Sequence, residues 1–167
     1  MISYASPKLF RYVNAYSLNQ QWLEGHPDDL SALLNFAEAH LTTGRFTDAE
    51  KRFAELLARS DLDAQSTIPL RLLLVVSSIA QNKMDSVSGH LKEIEASLGK
   101  QPEDFTLGWS FEGTKHFIGQ DEAFATSRDW LLALLEAFSG TTRDAMLAAV
   151  EAAKAKLALA NSAADGA

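Results

Sequence analysis

The chain has 167 residues, 47% hydrophobic and 22% charged, which is enough apolar content for one domain with a substantial core. Its formal net charge of -7 argues against nucleic acid and anionic membrane as partners, since phosphate binding needs clustered Lys and Arg. The absence of cysteine excludes disulfides, thiol catalysis and thiolate metal sites, and no basic-then-apolar leader opens the chain, so the expected compartment is the cytoplasm.

Pro7 to Leu23 carries Leu9, Phe10, Val13, Tyr16 (or Leu18) and Trp22 at roughly helical spacing. Gly25-His26-Pro27-Asp28-Asp29 stops that helix and offers acidic caps to the next, Leu30 to Thr43, striped by Leu30, Leu33, Leu34, Ala37 and Leu41. Gly44 ends it. Phe46 to Arg59 follows, with Phe46, Ala49, Phe53, Leu56 and Leu57 on one face.

Ile68 to Ala80 is apolar on every side, with Arg71 its only charge, so it is expected to be buried on every side. Thirteen residues are too few to cross a bilayer, which takes about 20. Ser66 is the expected cap and Pro69 the expected first-turn residue. Asn82 closes this helix, and Met84, Val87, Leu91, Ile94 and Leu98 stripe the one after it, up to Gly99.

Phe105 to Ile118 is ambiguous. Phe105, Leu107, Trp109 and Phe111 alternate like a strand, whereas Leu107, Phe111, Thr114 and Ile118 step like a helix; the helical surroundings favour a helix. Asp121 to Phe138 reads as one more helix, and Ser139-Gly140 breaks the chain. Thr141 or Thr142 then caps a last helix to about Leu159, leaving a small polar tail at 161–167.

The helices group as Leu30–Arg59, Ile68–Leu98 and Phe105–Phe138, whose starts lie 38 (68 − 30) and 37 (105 − 68) residues apart. Such a period marks a solenoid. The first pair resembles a tetratricopeptide repeat: Leu33, Phe36, Ala37 and His40 fall on the first set of signature positions, Gly44 on the turn, and Ala49 and Phe53 on the A-x3-F. Pro7–Leu23 resembles the second helix of an incomplete repeat, with Ala15 in the small-residue slot. In the second pair Leu74 and Val75 keep the pattern, while Arg71 and Ser78 replace large residues; in the third, Phe111 fits and Arg128 stands where Phe is expected. The resemblance implies an all-α, right-handed superhelix over residues 1–160, with three helix pairs, a leading half-repeat and a C-terminal capping helix.

By the same resemblance, first helices line a concave groove. Its expected partner-binding residues are Leu34, Glu38 and Leu41, then Leu72, Val76 and Ile79, then Trp109 and His116. These are mostly apolar, unlike the family's carboxylate clamps. The expected occupant is a protein or peptide segment such as an amphipathic helix, a second copy in a homodimer, or the chain's own end helix. The function implied is a non-enzymatic scaffold, adaptor or chaperone; small acidic tetratricopeptide chaperones of bacterial secretion systems are similar in size and charge. The alternative is a small-molecule sensor or enzyme using a Trp109/His116 pocket.

His26, His40, His90 and His116 lack chelating spacing, so no metal or cofactor is expected, and Glu112 with His116 reads as an ordinary i,i+4 pair. Ser139-Gly140-Thr141-Thr142-Arg143 suggests a phosphate cradle but lacks the Gly-Lys-Ser/Thr of a P-loop, and a helix break followed by a cap explains it.

Overall fold

The computed structural model describes residues 7–166, with the side chains of 7–15 and 164 excepted. Among them there are eight α-helices and no strands: α1 (Pro7–Gly25), α2 (Leu30–Thr42), α3 (Phe46–Leu57), α4 (Ala64–Ala80), α5 (Met84–Gly99), α6 (Glu112–Ile118), α7 (Arg128–Ala137) and α8 (Arg143–Asp165). A 3-10 turn at Glu122–Phe124 lies between α6 and α7. The apolar positions expected at Leu9, Phe10, Val13 and Ala15 lie outside the described side chains.

Local chemistry sets the early boundaries. Asp29 caps α2 by accepting from the Ala32 N–H at 3.0 Å. The turns after α2 and α4 share one geometry. Gly44 (φ 80°) and Asn82 (φ 57°) take left-handed backbone, which these two residue types tolerate best. Across each turn the following residue's N–H reaches back to a helix carbonyl, Arg45 to His40 at 2.9 Å and Lys83 to Ser78 at 2.8 Å. The turn residues are 82 − 44 = 38 positions apart, whereas the two pairs start at Leu30 and Ala64, 64 − 30 = 34 apart and not the 38 expected from a start at Ile68.

α4 begins earlier than expected. Asp63, not Ser66, is its cap, accepting from the Ser66 N–H at 3.2 Å. Pro69 therefore sits inside the helix, where its missing N–H leaves the Gln65 carbonyl without the usual partner four residues on. Otherwise α4 is as expected: Ile68 to Ile79 is buried throughout except at Arg71.

Successive helices from α1 to α5 pack each on the next. The expected third pair does not continue this stack. Residues 105–111 contain no helix, and Asp121–Phe138 is a 3-10 turn followed by α7. It is α8 that packs against α5, with α7 against α8. α6 instead returns to α2, and the 3-10 turn to α4. Residues 105–124 thus form a strap across the inner side of the first two pairs.

The strap's own chemistry explains the departure. Leu107 and Phe111 of this non-helical run are buried while Thr106, Gly108 and Ser110 are exposed. The Gln65 side chain grips this run by its backbone, donating to the Thr106 carbonyl at 2.6 Å and accepting from the Gly108 N–H at 3.0 Å. Arg128, where the repeat pattern wants Phe, donates to the Ile118 and Asp121 carbonyls, both at 2.9 Å, and ties down the end of α6. α8 runs through Asp165, beyond the expected end near Leu159, because Ala-rich sequence extends a helix readily.

Phe111, Ile118 and Phe124 of the strap are fully buried in the same core as α2 and α4. Phe111→Ala is therefore expected to cost about 3–5 kcal/mol in urea denaturation, the range for a buried aromatic. A loss under about 1 kcal/mol would mean the strap merely rests on the surface.

Candidate functional site

α2 has two working faces. Residues two apart on a helix point about 200° apart, so Glu38 faces away from both Phe36 and His40. Glu38 faces the strap, and Phe36 and His40 face α1 and α3.

On the inner face the structure places the expected groove residues under cover. Leu34 is 4% exposed, Leu41, Leu72 and Val76 are 0%, and Ile79 is 3%. With Phe111, Ile118 and Phe124 they belong to one core, so the open apolar strip expected at these positions is filled by the chain itself. The cover is the strap, not the end helix. Trp109 lies half-buried in the strap's non-helical run, its indole N–H without a hydrogen-bond partner among the described residues, and His116 lies half-buried on α6. Glu112 pairs with Lys115 at 2.7 Å.

Glu38 is the charged exception on this face. Thr114 Oγ1 of α6 donates to its Oε1 at 2.6 Å, joining residues 76 apart in sequence. Burial pushes the Glu38 carboxyl up to about 7, against the pull of the Thr114 hydrogen bond. Between the ordinary value of 4.5 and about 7, the unfolded chain releases this proton while the folded chain keeps it. The contribution to stability is therefore full below pH 4.5 and is lost as pH rises through 7.

The outer face holds a polar cleft of about 370 Å³, between Tyr16 of α1 and the α3 side chains Asp48, Lys51, Arg52 and Glu55, with Arg45 at the turn and His40 at its floor. Tyr16, Phe36 and His40 form a mutual aromatic cluster, with ring centroids 4.6–5.0 Å apart. The Arg45 guanidinium lies 4.5 Å over the Tyr16 ring and that of Arg52 lies 4.8 Å over Phe36. His40 Nδ1 donates to the Phe36 carbonyl at 2.8 Å. Burial, assisted by the two arginines, lowers the His40 pKa, so the floor is neutral at pH 7. Among the described residues, Arg45, Lys51 and Arg52 form no ion pair, although Asp48 and Glu55 line the same cleft.

Reading the sequence missed this cleft. The arginines and carboxylates of α3 look like a solvated helix face, and only α1 alongside makes them one wall of a cleft. Gln65 and Thr114 were also missed as clasps. Among the described residues no group of three or more His, Asp or Glu is arranged to hold a metal, and no helix is long and apolar enough to cross a membrane.

Phe36, His40, Ala49 and Phe53, which fall on tetratricopeptide signature positions, are all buried. Residues 9–66, from α1 to the first turn of α4, match the family model described as tetratricopeptide repeat. Repeats of this family generally mediate protein–protein interaction and are typically non-enzymatic. No curated protein and no solved structure matches the chain.

Glu38→Gln keeps the acceptor for Thr114 and removes the titration. At pH 8 it is expected to stabilise the protein by about 1–3 kcal/mol and to flatten the fall in stability between pH 5 and 7.5. An unchanged pH profile in chemical denaturation would show that this carboxyl is not enclosed.

Proposed function

We propose that the chain is a non-enzymatic protein-interaction module that engages a partner segment on the outer side of its tetratricopeptide segment, across α1 and α3. The observation that carries this reading is the strap. It fills the inner side with Phe111, Ile118 and Phe124, over the five apolar residues that would line a concave groove. Burying each such side chain contributes roughly 1.5–3 kcal/mol, so lifting the strap exposes far more apolar surface than one partner side chain restores. The inner residues hold the fold together, and the outer cleft is the surface left for a partner. A scaffold or adaptor fits this arrangement. A pocket built on Trp109 and His116 is disfavoured, because Trp109 is packed into the strap against the core.

Panning a peptide library against the full chain, then mapping enriched peptides by amide chemical shifts, tests this. Shifts are expected at 16–22 and 45–55, with 105–124 unmoved. Shifts concentrated at 105–124, or a small molecule carried through purification and bound near Trp109 and His116, would contradict it.

A further inference from the structure

We infer that the α1–α3 cleft is a receptor for an acidic, extended segment of a partner protein, whose carboxylates pair with Arg45 and Arg52 over the aromatic floor. The inference rests on the outer-face reading above and names the partner chemistry.

Three observations lead to it. First, Arg45, Lys51 and Arg52 form no ion pair among the described residues, in a chain whose net charge is -7. Second, the two guanidiniums are already placed. Each is held over a ring, Arg45 on Tyr16 and Arg52 on Phe36, so the guanidinium is placed by the fold and less side-chain entropy is lost on binding. A planar, bidentate acceptor such as a carboxylate suits that edge. Third, the floor is aromatic and neutral, with Tyr16, Phe36 and His40 in one cluster, which offers contact to the stems of a bound segment.

Spacing favours a peptide over a free acid. Arg45 and Arg52 are seven residues apart along the helix and its first turn, about 10.5 Å at 1.5 Å per residue. An extended segment of polyproline-II type rises about 3.1 Å per residue with three residues per turn, so carboxylates three positions apart share one face and lie about 9 Å apart, within reach of both long arginine side chains. Asp48 and Glu55 oppose the approach of an acid, as does the net charge. The latter acts weakly, because charges beyond about 8–10 Å are screened at physiological salt while a direct pair is not.

The test uses the full-length, isotope-labelled chain and a capped nonapeptide with glutamate at every third position among serines. Its controls are the same peptide with glutamine for glutamate, succinate, and inorganic phosphate. The glutamate peptide is expected to shift amides of residues 45–55 and around Tyr16, and to bind at least tenfold more tightly than any control. Arg45→Ala with Arg52→Ala is expected to lower that affinity at least tenfold, and raising salt to weaken it, with helicity by circular dichroism unchanged. Should the double variant lose helicity, Arg45→Gln and Arg52→Gln are read singly, with the same expectation of weakened binding. Equal binding of the glutamine peptide, or indifference to the arginine variants, overturns the inference. Equal binding of succinate or phosphate overturns the choice of a peptide over a free anion. If panned peptides map to α1 and α3 but lack acidic residues, this inference fails while the outer-face reading stands.

Discussion

The structure depends on the all-round burial of α4. A helix with Leu, Val and Ile on every face cannot be satisfied by neighbours on two sides, as an ordinary repeat helix can. α3 and α5 cover its flanks, and the 3-10 turn of the strap covers a further side. The departure from a plain solenoid follows from this. A third helix pair stacked on α5 would leave the inner side of α4 exposed to water. The chain turns back across it and leaves α8 to take the flank of α5. Arg71 marks the edge of the buried surface. Its guanidinium reaches the His90 ring at 3.5 Å and Glu93 at 3.9 Å.

The same constraint separates the two faces of α2. Glu38 turns toward the strap, where enclosure favours its neutral form and Thr114 supplies a partner. Phe36 and His40 turn the other way and build the floor of the outer cleft. One helix thus closes the inner side of the repeat and shapes the outer side. Signature positions that pack helix on helix elsewhere in the repeat are here shared between the α1–α2 contact and the cleft.

The all-helical fold, the positions of α2, α3 and α5, and the turns at Gly44 and Asn82 were legible from the sequence, because local periodicity and turn residues encode them, while the start of α4 was placed four residues late. Residues 105–111 were not read correctly. Their strand-like alternation was visible, but the helical surroundings were given more weight, and only the backbone grip of Gln65, 41 and 43 residues away, selects the extended form. Arg128 was noticed as a misfit, yet its use as a clasp on carbonyls of α6 and the following turn depends on tertiary placement. Of the expected groove residues, Leu34, Leu41, Leu72, Val76 and Ile79 are buried in the core. What covers them was invisible, because contact between α2 and α6 joins segments some 76 residues apart. The outer cleft was hidden for the opposite reason: its cations look like ordinary surface until α1 is set beside them.

Native-state hydrogen exchange under increasing denaturant bears most directly on the strap as part of the core. The account predicts that the slowest amides of α6 open only with global unfolding, at the same free energy as those of Leu72 to Val76 in α4. Exchange of α6 at a markedly lower free energy, while α4 stays protected, would contradict it and would return the inner groove to the surfaces open to a partner.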